Sequence, residues 1–210
     1  MAPSRPSPEA ELRRLAGENA RLQAENLRLS TRLNELETGA GRPARGEGEP
    51  PRVGLFVDVQ NMYYAARQLG ARLDFGALIE TVSRERQVVR AVAYVVRNRD
   101  IDQTGFLAML QQRGYEVRRK ELKVRADGSS KADWDLEIAL DVLSLESSLD
   151  VVVLATGDGD FVPLVQEVRR RGASVEVYSF ARSTARELVE AADRHVEIRD
   201  GLLMHVGPAG

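Results

Sequence analysis

The chain has 210 residues, 43% of them apolar, with 30 basic and 32 acidic side chains for a net charge of -2. That is enough for one substantial core plus an appendage, and the balanced charge excludes a global basic field, so any nucleic-acid contact must come from a local patch. The absence of cysteine excludes disulfides, thiolate zinc sites and cysteine nucleophiles.

The start, Met1 to Pro8, carries no apolar core of a secretory signal. No stretch reaches the roughly 20 apolar residues of a membrane span, so a cytoplasmic protein without membrane contact is expected. A seven-residue repeat then occupies residues 9–37. Leu15, Leu22, Leu29 and Leu36 share one position and Leu12, Asn19, Asn26 and Leu33 another, the d and a positions of a coiled coil. The two asparagines cost stability but favour an in-register parallel pair, in which each amide meets its symmetry mate. Arg32 and Glu37 attract each other across such a pair. Self-association through residues 12–37 as a parallel homodimer is expected in preference to a helix folded back on the rest of the chain, because the apolar seam is narrow. A chain shortened to begin at Arg52 should be monomeric by light scattering; a dimer would contradict the assignment. Residues 38–51, rich in glycine and proline, read as a flexible linker, and residues 52–206 as one domain.

Beyond Arg52, apolar strands at Val53–Val59, Val88–Val96, Tyr115–Leu122, Val151–Ala155 and Ser174–Phe180 alternate with helices. The helices are expected at about 61–69, 75–84, 103–113, 135–147, 161–171 and 183–191. Helical rather than tight-turn connections predict an α/β fold with a mostly parallel sheet covered on both faces. His195–Arg199 reads as a short edge strand.

Two segments bring carboxylates to where strands leave such a sheet, the place where open α/β sheets bind ligands, and a third adds one from a helix. Asp58 ends the apolar run Leu55-Phe56-Val57. Asn61, three residues on, reads equally well as a helix cap and as part of a ligand shell. Asp158 and Asp160 follow the strand at 151–155 through a Thr-Gly-Asp-Gly-Asp turn, where the glycines permit tight-loop conformations; Asp160 also fits a helix N-cap, and Asp158 has no such structural reading. The third segment is Lys131-Ala-Asp-Trp-Asp-Leu-Glu-Ile-Ala-Leu-Asp. Helical spacing from Asp135 leads to Ile138, Ala139, Val142 and Leu145, so Asp135 points inward, where a carboxylate is costly unless paired or metal-bound. Glu137 and Asp141, spaced i,i+4, turn toward solvent or the rim and read as surface acids. Trp134 reads as core. Clustered carboxylates without cysteine or histidine are hard ligands suited to Mg²⁺ or Mn²⁺, and point to a metal-dependent nuclease. An aspartyl phosphatase would want an acid where Gln60 stands, and the glycine turn lacks the spacing of a phosphate-cradling loop.

Phe-Val-Asp-Val-Gln-Asn, Lys-Ala-Asp-Trp-Asp-Leu-Glu-Ile-Ala-Leu-Asp and Thr-Gly-Asp-Gly-Asp-Phe-Val-Pro-Leu resemble the signature segments of NYN domains, in the PIN-like superfamily of metal-dependent ribonucleases. The resemblance implies a three-layer α/β/α sandwich. It implies that Asp58, Asp135 and Asp158 are metal-binding, catalytic acids, with Asp160 a fourth and Asn61 a supporting residue. RNA is the implied substrate, hydrolysed with Mg²⁺ or Mn²⁺. Candidate contacts to its backbone are Arg97, Arg99, Arg118, Arg119, Lys120, Lys123, Arg125 and Lys131, part of them ordinary solvated charges. Arg169-Arg-Arg171 reads instead as a helix C-terminus ahead of Gly172. No aromatic series for reading RNA is evident. The alternative function is a catalytically silent dimeric adaptor of the same fold that binds RNA or protein.

Overall fold

The computed structural model describes residues 48–97, 102–121, 123–124, 130–131 and 134–205, with backbone alone at 123, 124, 130, 131 and 205. The heptad segment, linker residues 38–47, Arg99 and Arg125 lie outside the described residues.

In chain order the strands are β1 (Arg52–Asp58), β2 (Ala71–Leu73), β3 (Gln87–Arg97), β4 (Glu116–Glu121), β5 (Lys123–Val124), β6 (Ser130–Lys131), β7 (Val151–Ala155), β8 (Ser174–Ser179), β9 (Arg194–Glu197) and β10 (Leu203–His205). The helices are α1 (Val59–Gln68), α2 (Phe75–Ser83), α3 (Thr104–Gln112), α4 (Asp135–Leu145), α5 (Val162–Arg170) and α6 (Arg186–Ala191). Six strands form one sheet in the order β4-β3-β1-β7-β8-β9, and every pairing within it is parallel.

Continuous apolar strands mean that both faces are covered. Val53, Leu55 and Val57 of β1 join one core with Val59, Met62, Ala65 and Ala66 of α1, Phe75 and Leu78 of α2, and Leu110 of α3. Phe56 points the other way, into a second core with Ile138 and Val142 of α4, Leu164, Val165 and Val168 of α5, and Leu188 of α6. The result is the α/β/α arrangement expected, including the edge strand at the C-terminal side. Trp134 is buried in the second core, its ring 5.4 Å from that of Tyr94.

Two short pairings were not legible in the pattern: β2 with β10, where Leu203 faces Leu73, and β5 with β6, where Lys123 is the register partner of Lys131. Strands of two or three residues are too short to establish a period. The arginine run ends α5 as read. Arg170 and Arg171 each reach Glu167 at 2.7 Å, holding its carboxyl down at about 2, and Gly172 follows at φ 89°.

The functional consequence lies in the strand order. From β1 the chain proceeds outward to β3 and β4, then returns to place β7 on the opposite side of β1. The helices after β1 and β7 depart to opposite faces, opening a crevice at the carboxyl ends of these two strands.

Candidate metal centre

Asp58 leaves β1 in extended conformation, φ -76° and ψ 93°, and its carboxylate accepts the Asn61 N–H at 3.0 Å, capping α1. Asp158 repeats the device after β7: at φ -78° and ψ 125° it accepts the Asp160 N–H at 3.0 Å and opens the turn into α5. The caps are therefore Asp58 at the end of β1 and Asp158 in the turn that follows β7. Asn61 caps nothing with its side chain, Asp160 is an exposed first-turn acid, and Asp158 does have a structural role that the sequence did not reveal. An extended residue at a strand exit has the backbone geometry of an N-cap, whereas Asn61 and Asp160 already lie within helical turns.

Asn61 instead ties the two strand ends together. Its backbone donates to Asp58, and its side-chain oxygen accepts the Gly157 N–H at 2.9 Å. Gly157 is buried, so loss of this acceptor would strand a donor. Asn61→Ala is expected to destabilise the protein by about 1–3 kcal/mol in chemical denaturation. It should also weaken any metal-dependent activity about 10- to 100-fold, the usual effect of losing an outer-shell partner.

The third acid arrives from the far side of the second core. Asp135 stands in the first turn of α4, and single carboxylate oxygens of Asp135, Asp158 and Asp160 lie within 4.8 Å of one another. Ligand oxygens on opposite sides of Mg²⁺ are separated by about 4.2 Å, twice the ion's bond length. Neighbouring ligand oxygens come closer still, so the carboxylates would have to draw together on an ion, and three hard oxygens are the right donor chemistry. The structure brings these three predicted residues together. Asp58 lies beside them in the wall of the crevice: Asp158 contributes to its electrostatics, although Asp58 is outside the three-oxygen group.

Burial raises the Asp58 carboxyl above the ordinary aspartate value, the Asn61 N–H opposes this, and the Asp158 charge adds to the rise. The native state thus holds this proton to higher pH than the unfolded chain. The stability so gained is complete below the ordinary value and is lost as pH climbs through the raised one. In chelator at pH 7, Asp58→Asn keeps a capping oxygen and removes a buried charge, so it should melt higher by a few degrees, for about 1 kcal/mol. The advantage should shrink toward pH 4. A gap that does not change with pH would contradict burial as the cause.

Asp141 takes a rim position, half-buried at the edge of its helix. Its carboxylate accepts the Tyr94 hydroxyl at 2.7 Å and lies 3.8 Å from the Arg118 guanidinium, so it links β3 to the solvent edge. Of the basic candidates, Lys120 meets Glu137 at 2.7 Å and sits 5.3 Å above the Trp134 ring, and Arg118 meets Glu116 at 2.8 Å. Arg97 and Arg119 are exposed and form no ion pair among the described residues. Lys123 and Lys131 are register partners in the antiparallel β5–β6 pair.

The floor beneath Asp158 carries no signature in the sequence. Thr156, 2% exposed, accepts the Asp158 N–H at 3.2 Å, and Gly157 accepts the Ala185 N–H at 2.9 Å. Neither glycine of the turn has positive φ, contrary to the tight-loop reading. Their requirement is space: a Cβ on Gly157 would overlap the Ser183 carbonyl oxygen, and one on Gly159 would meet Ala185 Cβ at 3.0 Å. The only hint in the sequence was the pair of glycines itself.

Comparison with known proteins identifies the family of this fold. The profile of the NYN domain family matches residues 52–199. The chain is 33% identical over 157 residues to the low amplitude and bright protein LabA of Synechococcus elongatus, covering 71% of this chain and 84% of LabA. A crystal structure of a protein of unknown function from Vibrio parahaemolyticus RIMD 2210633 superposes with a TM-score of 0.71 at 35% identity, over 76% of this chain and all of that one. No helix among the described residues is long and apolar enough to cross a membrane. With a matching profile over most of its length and a parallel sheet carrying acids at its switch point, this chain belongs to the NYN domain family.

Proposed function

We propose that the protein is a metal-dependent ribonuclease that hydrolyses phosphodiester bonds of RNA in the crevice between β1 and β7. The observation that carries this reading is the convergence of Asp135, Asp158 and Asp160 from two separate elements onto one point of that crevice, in a chain of the NYN family. These three would hold Mg²⁺ or Mn²⁺, with Asp58 completing the negative wall. Bound there, a divalent cation supplies charge neutralisation at the phosphodiester and activates water for attack. Asn61 keeps the Asp158 turn registered against the start of α1. Arg97 and Arg119 supply positive charge for the strand's phosphates, whereas Arg118 and Lys120 spend part of theirs on neighbouring acids. Self-association through residues 12–37 would present two such crevices on one particle.

The test is cleavage of labelled single-stranded RNA by the full chain with Mn²⁺, Mg²⁺ or chelator, using Asp158→Asn to expose contaminating nuclease. Cleavage that needs the metal and disappears in the variant is expected. Equal cleavage in both, or none across varied RNAs, would favour the dimeric adaptor.

A further inference from the structure

Three of the five tyrosines are buried, Tyr94, Tyr115 and Tyr178, at 0%, 3% and 2% exposure. The other two, Tyr63 and Tyr64, are each 53% exposed and stand edge to face with centroids 5.5 Å apart. Burying such rings is ordinarily favourable by some kilocalories, so a pair left in water on a well-packed helix calls for another role. Both belong to α1, whose opposite side, Val59, Met62, Ala65 and Ala66, is committed to the first core.

Position gives the pair its meaning. Asp58 caps this helix, and Asn61 ties its first turn to Gly157, so α1 begins at the acid cluster. Tyr63 stands five residues after Asp58, about 7.5 Å along the axis at 1.5 Å per residue. That is about two stacked nucleotides at 3.4 Å each. Gln60, Tyr63, Tyr64 and Arg67 follow one another at the i, i+3, i+4, i+7 spacing of one helix face. Arg67 is exposed and forms no ion pair among the described residues, while many other arginines are paired to acids. The face therefore offers two accessible π surfaces followed by a positive charge, leading away from a site that would act on phosphate. Bases present π faces and their backbone carries phosphates, so the complement of this face is an unpaired strand. A duplex keeps its bases stacked on one another and offers none to the rings.

We propose that Tyr63 and Tyr64 form a stacking platform for bases of a single-stranded nucleic acid next to the acid cluster, with Arg67 meeting a phosphate beyond them. The assignment rests on the nuclease reading for the identity of the strand, and it deepens that reading by making the substrate single-stranded.

The platform is tested by fluorescence anisotropy of the full chain in the cleavage-silent Asp158→Asn background with Mn²⁺. The probes are a labelled RNA strand, the DNA strand of the same sequence, a duplex, and a strand with abasic sites. Tyr63→Ala and Tyr64→Ala should each weaken binding of the intact single strand about 5- to 100-fold and leave the abasic strand unaffected, whereas Tyr63→Phe keeps a ring and should bind normally. Arg67→Ala should weaken intact and abasic strands alike and lower the salt slope by about one. RNA and DNA strands bound equally would make the platform indifferent to the sugar; RNA bound more tightly would add a 2′-hydroxyl contact to it. Unchanged binding in both alanine variants, or equal losses on abasic strands, would overturn the platform even if the parent protein cleaves RNA. Ring-dependent binding by a parent that cleaves nothing would retain the platform and refute the nuclease.

Discussion

Asp135→Asn is expected to lower metal-dependent RNA cleavage by at least about 10²-fold, since losing a direct ligand should exceed the 10- to 100-fold loss seen when an outer-shell partner is removed. The asparagine preserves side-chain size in the first turn of α4 and removes only the charge. A rival explanation is available, because an acid in a first helical turn is stabilised by the helix dipole whether or not it binds anything. The two make opposite predictions. As a helix-end charge, Asp135 would be worth about 0.3–1 kcal/mol of stability and nothing to cleavage. If Asp135 is instead a ligand held against Asp158 and Asp160, its replacement should lower Mn²⁺ affinity in calorimetric titration together with cleavage. A lower melting temperature with undiminished cleavage would reduce Asp135 to a dipole partner.

The frame around this site was legible because its cause is local. Val53 to Val57 show no polar alternation, which requires cover on both faces, and the two cores supply it. The inward phase of Asp135 also followed from spacing alone, since Ile138 and Val142 fix the buried side of α4. Its meeting with Asp158 did not, because that distance depends on how α4 crosses the sheet. The partner of Asp141 at the rim was not legible for a related reason: a helical wheel places a residue relative to its own helix, whereas Tyr94 reaches up from β3 to meet it. The exposure of Tyr63 and Tyr64 was not legible, because the sequence does not show which side of α1 two adjacent rings take.

Gly157→Ala should be the most damaging single methyl that can be added to the crevice. At ordinary φ an alanine is tolerated by the backbone, so the whole effect comes from contact. The new Cβ would overlap the Ser183 carbonyl oxygen and stand 3.1 Å from Ser183 C and 3.2 Å from Thr184 Cα. All three are backbone atoms, which cannot rotate aside as a side chain could. The segment that bears them is firmly held: Thr184 Oγ1 lies 2.7 Å from both Ser179 Oγ and the Phe180 oxygen, and Ser183 N–H donates to the Phe180 oxygen at 2.9 Å. Relief must then come from the turn itself, which carries Asp158 and receives Asn61. Overpacking of this kind costs about 1–3 kcal/mol, or roughly 2–4 °C of melting temperature for each kilocalorie in a protein of this size. Displacing Asp158 by about 1 Å would cost a further 10²-fold in cleavage. Gly159→Ala is the internal comparison, because its Cβ would meet only Ala185 Cβ, at 3.0 Å, and a shift of a few tenths of an ångström in α6 relieves it. Thermal melts and cleavage rates of the two variants should therefore separate, with Gly157→Ala the worse in both. Equal damage would mean that the turn selects glycine for its backbone conformation rather than for the space that Ser183 denies.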